Sequence, residues 1–149
     1  MNFKIIGIAA IASLLSFSVA APTIAQDAMM LHGDEAIAER KAVMRSNGGV
    51  LRGAGDLSGD EAIAAGQTLV DNFTKLADLF PEDSMGGDTK ALPAIWEDSE
   101  GFMVAFANAQ AAAAGVLAAA ESMDAAAYAD ALKAIGVTCG ACHGTYRAQ

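Results

Sequence analysis

Residues 125–147 read AAAYADALKAIGVTCGACHGTYR, and the rest of the chain can be worked out from them. Alanine dominates, and no strand-like alternation runs through the segment. Asp124 stands immediately ahead as an N-cap, so the sequence predicts a helix from Ala125 to Arg147. On that helix Cys139, Cys142 and His143 are spaced three and four residues apart, so all three project from one face. Two sulfurs and an imidazole therefore converge on one side of one turn. Gly140 and Ala141 between them keep the intervening surface low.

Upstream, helical periodicity recurs three more times. A first helix runs from about Asp34 to Gly48 or beyond, with Ile37, Met44 and Leu51 recurring at sevens. Asn47-Gly48-Gly49 is its weak point, and residues 53–59 form a loop rich in Gly, Asp and Ser. Ser58 followed by Glu61 predicts a capping box that opens the second helix. Ile63, Leu69, Val70, Phe73, Leu76 and Phe80 make its apolar face, and Pro81 ends it. Residues 82–93 are longer than a typical helix–helix link, which often marks function or a crossover. The third helix is predicted from Ile95 to Glu121, with Trp96, Phe102, Phe106, Val116 and Leu117 as its larger apolar residues. Four amphipathic helices joined mostly by short links fit an all-α antiparallel four-helix bundle.

The N-terminus is of another kind. Lys4 supplies a short positive region, residues 5–20 are apolar or small, and Ala20, Ala21 and Ala25 are the small residues a signal peptidase needs. Residues 1–25 read as a cleaved signal peptide, with Gln26 opening a mature domain of residues 26–149. The apolar run is short for a membrane span. No later stretch reads as a span either, because residues 105–120 are weakly apolar and interrupted by Asn108 and Gln110. Cleavage removes Lys4 and no acid, moving the formal charge from -9 to -10 on 124 residues. That is one domain of ordinary size. Its charge repels nucleic acid and anionic lipid, and its overall sign suits a basic redox protein as an encounter partner.

The chain has only two cysteines, and export makes their spacing informative. A structural disulfide across so short a loop in a helix is geometrically poor. A thioredoxin-like dithiol needs a preceding strand in a βαβ setting, which is absent. A zinc site needs further ligands; the only other histidine, His32, reads as a solvated residue ahead of the first helix. Cys139-Gly140-Ala141-Cys142-His143 matches instead the C-x-x-C-H pattern of c-type haem attachment. In that chemistry the sulfurs join the macrocycle as thioethers and the imidazole reaches the iron.

The motif lies near the C-terminus and continues into Tyr146-Arg147. With an early Arg40-x-x-x-Met44 and the run Ala91-Leu92-Pro93-Ala94-Ile95-Trp96, the mature chain resembles the class II c-type cytochromes, the cytochrome c′ family. That resemblance implies a four-helix bundle carrying one covalent haem c, with His143 as the proximal iron ligand. It puts Arg40 at a haem propionate, where a charge on the inward stripe needs a partner. Thr89 and Lys90 on the long loop are further propionate candidates. It puts Met44 opposite His143, either ligating iron as in low-spin relatives or screening an open site as in high-spin ones. Trp96 and Phe102 are candidates for haem packing, and Arg147 lies one turn beyond His143, where it can tune it.

The implied function is periplasmic electron transfer with redox partner proteins. The alternative is a five-coordinate haem protein binding nitric oxide or carbon monoxide. No acid–base constellation accompanies the motif, so an enzyme is not expected. A homodimer through the first two helices is part of the resemblance.

Overall fold

The computed structural model describes residues 31–149, so the signal-peptide assignment lies outside the described residues. The periodic segments become four long helices: α1 (Gly33–Gly53), α2 (Gly59–Leu76), α3 (Ser99–Glu121) and α4 (Ala125–Tyr146). A single helical turn, Ala94–Glu97, precedes α3, and no strand forms among the described residues. One core unites the helices. Leu69, Phe73 and Leu76 of α2 meet Phe102, Phe106 and Val116 of α3 and Ile135 of α4. Gly66 lets α2 and α3 approach closely, since a Cβ there would sit 2.7 Å from the Cα of Leu117.

Several predicted boundaries move. Asn47-Gly48-Gly49 does not end α1, which continues to Gly53. Asn47 is buried and its side-chain oxygen accepts from Asn72 Nδ2 at 2.8 Å, so tertiary contact outweighs the weak local propensity. The Ser58–Glu61 capping box is a correction. Ser58 occupies the N-cap but makes no side-chain cap bond, and Gly59 after it starts the helix at φ +55°, outside the helical region a capping box requires. Helix α2 stops at Leu76, ahead of Pro81, although Leu79 remains buried.

The predicted third helix is cut in two at Asp98, whose φ of -117° and ψ of 58° are not helical. Its carboxylate caps α3 by accepting from Gly101 N at 3.1 Å. Asp124 caps α4 as expected, accepting from Ala126 N at 2.9 Å and Ala127 N at 3.0 Å.

Helix α3 is long and apolar enough to cross a bilayer by length and composition. In the fold it is the central helix, packed on α2 along one face and on α4 along another. Helix α1 packs on α2, but α1 and α4 make almost no direct contact. The bundle is thus open along one seam. The loop of residues 82–93 crosses one end of it, joined to the C-terminus by Leu92 N to Tyr146 O at 3.0 Å and Ala148 N to Lys90 O at 2.8 Å.

Candidate functional site

The open seam is a cavity of about 680 Å³, within the size range of ordinary ligand pockets. Helix α1 faces it with two rows at i, i+4 spacing: Arg40, Met44, Gly48 and Arg52, and beside them Lys41 and Arg45. Helix α4 contributes Cys142, His143, Tyr146 and Arg147, and the long loop adds Thr89 and Lys90. Phe80 and Phe102 form an apolar wall, their rings edge to face with centroids 4.9 Å apart.

Cys139 lies one turn before Cys142, and both are free, partly buried thiols packed against the core. Burial pushes both thiols above their ordinary value, and for Cys142 the neighbouring Cys139 adds to the effect. A dithiol redox pair has the opposite signature, a depressed pKa. Burial, reinforced by the charge of Arg147, holds the His143 imidazole below its ordinary value. The neutral imidazole so favoured is the form that binds a metal.

Arg40 is 4% exposed. Its Nη1 donates to Leu79 O at 3.0 Å and Ser84 Oγ at 3.2 Å; its Nη2 donates to Ser84 O at 3.3 Å and Thr89 Oγ1 at 2.9 Å. The guanidinium also lies 4.6 Å above the Phe80 ring. Every one of these partners is uncharged, and no ion pair among the described residues includes Arg40. Desolvation depresses its pKa with no acid to oppose it. A buried cation without an anion is costly, and here it borders a cavity.

The other sequence candidates divide. Met44, Thr89, Lys90, Phe102 and Arg147 all line the cavity with Cys142 and His143, whereas Cys139, one turn earlier, and Trp96 do not. The Trp96 indole is partly buried beside the core and donates to Phe80 O at 3.1 Å. Phe80 and Ser84, absent from the sequence candidates, shape the site through Arg40. Helical spacing could have shown the cationic rows on α1, but nothing local marks Ser84 as an acceptor for a residue on another helix.

These residues suit a haem. Two unpaired thiols and a neutral imidazole share one turn, an aromatic wall faces the gap, and a buried cation lacks the anion that a propionate would provide. Fold and site define a haem-holding four-helix bundle of the c-type.

The comparisons agree. The family model described as cytochrome c′ matches residues 34–147. Cytochrome c-554 of Cereibacter sphaeroides is 36% identical over 146 residues, covering 89% of this chain and 93% of that protein. Cytochrome c′ of Rhodospirillum rubrum is 34% identical over 118 residues, covering 74% of this chain and 80% of that protein. The solved structure of cytochrome c′ from Rhodopseudomonas palustris superposes with a TM-score of 0.66 at 33% identity, covering 76% of this chain and 96% of that one. The chain belongs to the cytochrome c′ family, and with it carries one covalently bound haem c.

Proposed function

We propose that the protein is an exported, periplasmic electron-transfer cytochrome. In this reading Cys139 and Cys142 hold the haem through thioethers and His143 ligates its iron. One observation carries the proposal: His143 of α4 and Met44 of α1 line the same cavity from two helices that do not otherwise close on each other. Haem supplies reversible one-electron chemistry, and the protein sets its ligands and surroundings. A thioether from Met44 would complete the ligand set and raise the potential relative to other ligand sets.

Arg40 answers a propionate with the charge that its neutral partners leave uncompensated, and Thr89 and Lys90 stand at the same wall. Phe80 and Phe102 keep water from the macrocycle, and Arg147 favours neutral His143. Self-association through α1 and α2 belongs to the same reading.

A second reading rests on Gly48, one turn beyond Met44 at the cavity wall. A Cβ there would stand 3.4 Å from Arg52 Nη1, the far end of a flexible side chain, so in this reading a diatomic gas takes its space by displacing Arg52 and the Met44 thioether. Optical spectra of the reduced holo-protein, with and without carbon monoxide, separate the two. A low-spin spectrum that resists carbon monoxide supports Met44 ligation and electron transfer. A high-spin spectrum with rapid carbon monoxide binding supports the gas-binding reading.

A further inference from the structure

The charge of this chain is unevenly distributed. Of its nine basic residues, six line the cavity: Arg40, Lys41, Arg45, Arg52, Lys90 and Arg147. Of the acids among the described residues, only Asp88 does. Elsewhere among the described residues the cations are Lys75 and Lys133, and each is paired, with Glu39 and Asp130 respectively. At the cavity, Asp88 neutralises Lys41 at 2.6 Å. Arg45, Arg52, Lys90 and Arg147 are exposed and pair with no carboxylate among the described residues. Two propionates would take up Arg40 and at most one neighbour, which leaves the rim positive.

We propose that this rim docks the acidic face of a redox partner protein. The idea rests on the electron-transfer reading and names the chemistry of its partner. Overall charge suggested the opposite sign, a basic partner. At physiological salt, however, charges more than about 8 Å apart are largely screened. A partner at contact therefore meets the rim, where Asp88 is the one lining carboxylate among the described residues and is already paired, and that asymmetry orients its approach. An anionic bilayer fits less well. It is extended, and would meet the net negative charge of the chain as well as the rim.

The test is calorimetric titration of the holo-protein with plant-type ferredoxin, an acidic one-electron protein, at low and at physiological salt. The expected result is binding at low salt that weakens about tenfold or more on adding salt. It also weakens about tenfold or more in Arg45→Glu/Arg52→Glu. Lys75→Glu/Lys133→Glu, on other faces, binds as the parent does. Unaltered Soret and far-ultraviolet spectra certify that each variant is folded. Affinity indifferent to salt, or unchanged in the Arg45/Arg52 variant, overturns the proposal. So does sedimentation with anionic phosphatidylglycerol vesicles, lost in that variant, when ferredoxin does not bind; the rim would then be a lipid site. Electron exchange with a neutral quinol is measured in parallel. Its absence would sink the electron-transfer reading alone, since the titration detects docking without any electron moving.

Discussion

Tyr146 donates its hydroxyl to Asp98 Oδ2 across 2.9 Å, tying the last turn of α4 to the N-cap of α3. The other oxygen of Asp98 accepts from Gly101 N, so one carboxylate both starts α3 and holds the turn that follows His143. The Tyr146 ring lies edge to face on Phe102, centroids 5.3 Å apart, and its backbone oxygen accepts from Leu92 N. The C-x-x-C-H turn is therefore anchored just past its end, on α3 and on the long loop at once. A cofactor bound through this turn gains a fixed seat without further help from α1.

Gly101 is required by that arrangement. A Cβ at this position would overlap Asp98 Oδ2 and lie 2.7 Å from the Tyr146 hydroxyl oxygen. Gly101→Ala is expected to lose about 1–3 kcal/mol of stability through overpacking, despite alanine being the better helix former. Thermal unfolding followed by far-ultraviolet dichroism checks it, and a midpoint at or above the parent's would refute the constraint.

The same pair sets an alkaline limit. Burial, then the hydrogen bond to Asp98 and its charge, raise the Tyr146 pKa above its ordinary 10.0. A phenol that holds its proton more tightly when folded stabilises the fold below pH about 10, and that stability is lost as pH rises through the folded pKa. Tyr146→Phe should therefore flatten the decline of stability above pH about 10, while leaving the profile between pH 6 and 9, both approximate bounds, parallel to the parent's. Urea midpoints across the series give the slope. Identical alkaline slopes would remove Tyr146 from the account.

Arg40 makes four hydrogen bonds to neutral oxygens, three of them on the 82–93 loop and one at Leu79 O just before it. Arg40→Gln leaves buried acceptors unpaired and should cost about 3 kcal/mol in the haem-free chain. Arg40→Lys should cost most of that as well, because an ammonium cannot reproduce the planar fork. In the holo-protein the loss of the cation should also lower the reduction potential, since an uncompensated propionate favours ferric iron. Chemical denaturation and a redox titration measure the two effects separately. Full stability in both variants would show that the loop stands without Arg40.

Much of this was legible from local spacing. The shared face of Cys139, Cys142 and His143 follows from helical geometry alone, as does the Asp124 cap, because both depend on residues within one turn. What failed depended on distant partners or on backbone angles. Asn47 read only as a weak point that the first helix could pass, because the partner that supports it, Asn72, lies on another helix. Ser58 looked like half of a capping box because its spacing to Glu61 carries no sign of the positive φ at Gly59. Arg40 was readable as a buried charge, but its acceptors lie on a loop whose path no pattern specifies. The basic rim is intermediate. Its α1 rows are periodic, yet Lys90 and Arg147 join them only through the fold, so total charge alone points to a partner of the other sign from the one the proposed rim suits.

The contact between α2 and α3 makes a separate prediction. Gly66→Ala would put a Cβ 2.7 Å from the Leu117 Cα and 3.0 Å from its N, where only backbone could move. The helices must part, so the loss should exceed that of Gly101→Ala, whose neighbours are side chains. Haem spectra should change little, because the contact lies away from the cavity wall. Equal or greater stability for Gly66→Ala, read from urea midpoints, would mean that the interhelix spacing adapts freely.

Met44 decides between the two functional readings, and its surroundings define what its removal does. The side chain is partly buried, packs against the core and lines the cavity, so Met44→Ala loses some packing whatever its role. That common cost, about 1–2 kcal/mol for a half-buried methionine, cannot separate ligand from filler. The iron spectrum can. If the thioether ligates, Met44→Ala converts low-spin iron to high-spin, lowers the potential and makes carbon monoxide binding fast. If it only screens the site, the resting spectrum stays high-spin in parent and variant, and only the rate of gas entry rises. A variant spectrum matching the parent's in both oxidation states would exclude ligation by Met44.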